Sequence, residues 1–61
     1  MDETQMAFLQ GLAAAIGILS RSYDEPSMAK GIAIECNYTL KDFEKANIDD
    51  FDMKEVRKVL K

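Results

Sequence analysis

Between Thr4 and Ser20 the chain reads TQMAFLQGLAAAIGILS, a run without a formal charge that keeps helical periodicity on more than one face. Phe8, Leu9, Leu12, Ile16 and Leu19 follow the i, i+3, i+4, i+7 spacing of an amphipathic helix and form a face of large side chains, the expected core face. Ala7, Gly11, Ala14, Ala15 and Ile18 gather on a second face of mostly small residues, and only Gln10, Gly17 and Arg21 point elsewhere. A chain of 61 residues has little other material with which to cover such a helix from both sides. Small side chains let another backbone approach closely, and an interior glycine costs about 1 kcal/mol relative to alanine unless packing recovers it. The second face is therefore expected to be a subunit interface in a homo-oligomer, a dimer or higher. The alternative is a central helix that the rest of the chain covers on both sides.

The length allows one domain over residues 1–61, with residues 1–3 expected to fray, near the size at which a single core barely offsets chain entropy. Cys36 is the only cysteine and histidine is absent, so neither a disulfide nor a cysteine/histidine metal site is available within the chain. The net charge of −3 is uneven: Asp2, Glu3, Asp24 and Glu25 face only Arg21 in residues 1–25, whereas seven acids and seven bases balance in residues 26–61. Neither half is a basic patch, which argues against nucleic acid as a partner. The uncharged run starts with Asp2 and Glu3 where a signal peptide is positive, and Gln5 and Gln10 interrupt it short of a membrane span of about 20 apolar residues. No membrane partner is expected, and the reading is a cytoplasmic protein with a reduced thiol.

Polar residues Arg21 to Pro26 break the first helix. Pro26 suits the first turn of a second helix, to about Cys36, because its missing N–H would be unpaired there; Asp24 or Glu25 would supply the cap. Met28, Ala29, Ile32, Ala33 and Cys36 form its expected inner stripe, and Asn37 suits a left-handed terminator. Two further segments share a local grammar of aromatic, cap, aliphatic, lysine, acid and apolar residue: Tyr38 to Phe43 and Phe51 to Val56. In the first, Thr39 caps with Asp42 reaching back, and Tyr38 staples against Phe43. In the second, Asp52 caps with Glu55 reaching back, and Phe51 staples against Val56. The expected helices are about Leu40 to Ala46, ended by Asn47, and about Met53 to Leu60. The fold class is thus all-α: one long apolar N-terminal helix plus three short helices, oligomerising.

Residues Ile32 to Ala46 resemble the helix-turn-helix pattern, with a small residue at Ala33, Asn37 at the turn, and Tyr38, Thr39, Phe43 and Ala46 inward. The resemblance implies that the helix after the turn reads bases, but its outward residues Lys41, Asp42, Glu44 and Lys45 sum to zero charge. A structural corner is the better reading. The acidic turn Asn47 to Asp52 lacks the glycine and alternating oxygen ligands of a calcium loop, so no metal site is expected. Cys36, next to Glu35, is expected to be a buried core thiol rather than a nucleophile, and Met6, Met28 and Met53 are expected core fillers. No enzymatic activity and no cofactor are expected. Arg21, Ser22, Tyr23 and Lys30, with Ser20 and the start of the second helix, form the one cluster suited to an anionic ligand such as a nucleotide, although Asp24 and Glu25 partly cancel its field.

A compact acidic chain with no catalytic set, an apolar helix and capped short helices resembles small accessory proteins of tailed bacteriophages. That resemblance implies stoichiometric binding to a host protein, in the host cytoplasm. The functional expectation is a non-catalytic, self-associating helical interaction module or inhibitor. The alternatives are a protein that sequesters an anionic small molecule and a degenerate helix-turn-helix DNA binder.

Overall fold

In the computed structural model, which describes Met1 to Lys61, Asp2 sets the start of the first helix. Its backbone is extended and its carboxylate accepts a hydrogen bond from the Gln5 N–H at 2.7 Å, satisfying one of the donors a helix start leaves unpaired. The helix thus begins at Glu3, inside the stretch expected to fray. Four helices follow in the order α1 (Glu3–Arg21), α2 (Pro26–Glu35), α3 (Leu40–Glu44) and α4 (Asp50–Leu60), and the chain is all-helical. No helix is long and apolar enough to cross a membrane.

α1 packs against both α2 and α4, and α3 lies mainly against α4. The stripe of α1 enclosed between its neighbours is Leu9, Ala13, Ile16, Gly17 and Ser20. This differs from the expected face of large side chains. Leu9 and Ile16 are buried as expected, Leu12 and Leu19 are half-buried, but Phe8 is exposed and Gly17 lies inside. The enclosed stripe turns inward as a unit, mixing the large Leu9 and Ile16 with the small Ala13, Gly17 and Ser20, and the helical wheel leaves Phe8 outside it. At Gly17 a β-carbon would stand 3.3 Å from an Arg21 guanidinium nitrogen and 3.5 Å from an Asp52 carboxylate oxygen.

α2 follows the same logic, burying Ala29 and Ala33 while Ile32 is half-buried. Met28 and Cys36, expected on its inner stripe, are exposed. Ala29 and Ala33 are the residues α2 encloses, Met28 stays 58% exposed, and Cys36 sits past the last helical residue. Pro26 does occupy the first turn, but neither acid caps it. Glu25 makes no side-chain cap bond, and Asp24 is used for the chain reversal, at φ 53° in the left-handed region that aspartate tolerates. The carbonyls at the end of α1 are taken up by this turn, Ile18 accepting from Ser22 and Tyr23 and Leu19 from Glu25.

Asn37 ends α2 as expected, at φ 66°. Around it the Tyr38 N–H donates to the Ala33 carbonyl and the Asn37 N–H to the Ile34 carbonyl, both at 3.0 Å, the paired bonds of a Schellman motif. The chain then enters α3 through Thr39, whose N–H donates to the Asp42 carboxylate at 2.8 Å and whose hydroxyl donates to the same oxygen at 3.1 Å. The Tyr38 and Phe43 rings meet edge-on at 6.2 Å, the expected staple. Asn47, at φ 57°, closes the turn after α3.

The start of α4 is a correction. Asp49, not Asp52, is the N-cap: its carboxylate accepts from the Asp52 N–H at 2.8 Å, and the helix begins at Asp50. Phe51 consequently falls in the first turn and points outward, 65% exposed, instead of stapling against Val56. Glu55 is free to turn inward. Met53, Val56 and Val59 join Leu9, Ala13, Ile16, Ala29, Ala33, Phe43 and Ala46 in one core, and the molecule has a radius of gyration of 10.2 Å.

Two predictions follow from the helix ends. Asp49→Ala should destabilise the fold by about 1 kcal/mol, the typical worth of a cap, and more than Asp52→Ala; equal midpoints for the two variants in urea would place the start of α4 wrongly. The Asp42 carboxyl is held below its ordinary value of 3.8, chiefly by the Thr39 N–H and also by the Thr39 hydroxyl and the Lys45 charge, against a smaller opposing desolvation. A depressed folded-state pKa gives stability that is complete above the unfolded value and lost as pH falls through the folded one. The urea midpoint should therefore drop below about pH 4, and Asp42→Asn should remove part of that acid limb.

Candidate functional site

The face of α1 turned away from the core carries the residues expected at a subunit contact. Ala7, Gly11, Ala15 and Ile18 are exposed, Ile18 by 48%, and Ala14 is half-buried. Around the position of a β-carbon on Gly11 there is open space out to 4 Å. Phe8, expected in the core, belongs to this surface instead, 52% exposed. Its ring lies 6.0 Å from that of Tyr38, so an aromatic row of Phe8, Tyr38 and Phe43 leads from the α1 surface to the core.

The opposite flank of the face is held by Gln10. Its side-chain amide donates to the Ala46 carbonyl at 2.9 Å and reaches the Asn47 carbonyl at 3.4 Å, fastening the turn after α3 to α1. One end further along, the Arg21 guanidinium lies over the Phe51 ring, 4.2 Å from its centroid. This is a cation–π contact that accounts for an aromatic ring left outside the core. The α1 face is thus framed by Phe8 and Tyr38 on one side and by Gln10, the turn after α3 and Arg21 on the other. Nothing in the chain lies over it.

The cluster expected to take an anion is not brought together as a site. Ser20 is turned inward, 6% exposed, and its hydroxyl donates to Oε1 of the buried Glu55 at 2.8 Å. The same oxygen lies 3.8 Å from the Lys58 ammonium. Arg21 is engaged with Phe51, and Ser22, Tyr23 and Lys30 are exposed without a hydrogen bond or ion pair joining them. No pocket is present in the surface. The Ser20–Glu55 pair joins residues 35 apart in sequence, and that separation is why the local spacing of acids and hydroxyls gave no sign of it.

Cys36 is exposed rather than a buried core thiol, because α2 ends before it and the Schellman turn carries it outward. Asp49 and Asp52 of the acidic turn meet through the cap of α4, and no group of three histidine, cysteine or acidic side chains is placed to hold a metal ion. At the corner resembling helix-turn-helix, α3 has 5 residues. Its Asp42 carboxylate is occupied by Thr39, and Glu44 lies 3.6 Å from Arg57 of α4. Compared with known protein families, curated proteins and solved structures, the chain matches none.

Removing either polar tether should be felt. Ser20→Ala leaves a buried carboxylate without its hydroxyl donor and should cost about 1–3 kcal/mol. The loss in Ser20→Ala/Glu55→Ala should be smaller than the sum of the single losses in a double-mutant cycle; strict additivity would show that the pair is not coupled. Gln10→Glu exchanges an amide donor for a carboxylate facing two carbonyls and should cost about 1 kcal/mol or more in thermal or urea unfolding, where a purely solvated residue would cost nothing.

Proposed function

We propose that this chain is a non-catalytic binding protein that associates with copies of itself through the outer face of α1. The observation that carries the reading is that this face stays apolar and uncovered after the chain has folded: Phe8 and Ile18 remain about half exposed around Ala7, Gly11, Ala14 and Ala15. Fully burying a side chain such as isoleucine is worth about 1.5–3 kcal/mol, and here roughly half of that remains to be gained at each of the two large residues. Small residues between them let a second helix come near. On this reading the assembled protein acts as an interaction module or stoichiometric inhibitor of a host protein in the cytoplasm, in the manner of a phage accessory protein.

The competing readings have less behind them. An anion-sequestering site would lack Ser20, which is committed to Glu55, and its Arg21 is stacked on Phe51. A DNA reader would have to read bases with a 5-residue helix in which Asp42 and Glu44 outweigh the one lysine, Lys41.

Sedimentation equilibrium at micromolar concentration tests the proposal. The unmodified chain should exceed its monomer mass of 6.9 kDa. Ala15→Glu and Ile18→Glu, at exposed positions, should return it to monomer while leaving the helical circular-dichroism signal unchanged; Ala14 is half-buried, so a charge there would disturb the fold as well. A well-folded monomer of the unmodified chain overturns the reading.

A further inference from the structure

We draw no further inference here: the strongest candidate, the exposed apolar face of α1 framed by Phe8 and Arg21, belongs to the subunit contact already proposed, and nothing in the structure shows in which orientation a second copy would cover it.

Discussion

The seating of α4 against α1 at Gly17 and Ser20 is the contact on which the other elements depend. A residue with a larger side chain at position 17 would meet the Arg21 guanidinium and the Asp52 carboxylate, and the Ser20 hydroxyl is the hydrogen-bond donor that lets Glu55 lie buried. Burying a carboxylate is costly unless it is hydrogen-bonded or paired, and Glu55 has both the hydroxyl and the Lys58 ammonium near one oxygen. With α4 held there, Val56 and Val59 reach the core beside Ile16, and α3 is carried onto α4 with Phe43 inward. The Gln10 amide then fastens the connecting turn at its other end.

A consequence of this arrangement is the distribution of apolar surface. α1 turns one stripe, Leu9, Ala13, Ile16, Gly17 and Ser20, toward its neighbours, so Phe8 and Ile18 on its other side stay outside. α1 packs against both α2 and α4, and these contacts leave the two side chains about half exposed. Phe51 is exposed as well, its ring covered on one face by a guanidinium instead of by the core. The polar tethers and the apolar outer face are thus two results of one packing choice. The first holds the chain together and the second is available for contact.

The parts of this fold legible in the sequence were those decided locally. Pro26 opens α2, Asn37 ends it in the left-handed region, and Thr39 with Asp42 caps α3, each because the residue's own chemistry meets a need within four positions of it. The start of α4 was misplaced because Asp49 and Asp52 both fit a cap and only the tertiary position of Glu55 separates them. On α1 the periodicity marks Leu9 and Ile16 in the core and Leu12 and Leu19 packed against it, and only Phe8 lies elsewhere. Periodicity ranks side chains by apolar size and so passes over Ala13, Gly17 and Ser20, which are enclosed together with Leu9 and Ile16. Of the candidate contact face, Ala7, Gly11, Ala15 and Ile18 were legible as a second apolar surface, but the membership of Phe8 was not. Of the polar cluster, the inward turn of Ser20 and the stacking of Arg21 on Phe51 rest on contacts across the chain that no local pattern encodes.

Backbone amide resonances followed through a dilution series test most directly whether the outer face of α1 is the working surface. If it is, the signals of Ala7, Phe8, Gly11, Ala15 and Ile18 should move together with concentration, while Ala13 and Ile16 on the enclosed stripe and Val56 and Val59 of α4 hold still. Signals that are independent of concentration, or that change instead along α3 and α4, would contradict the account.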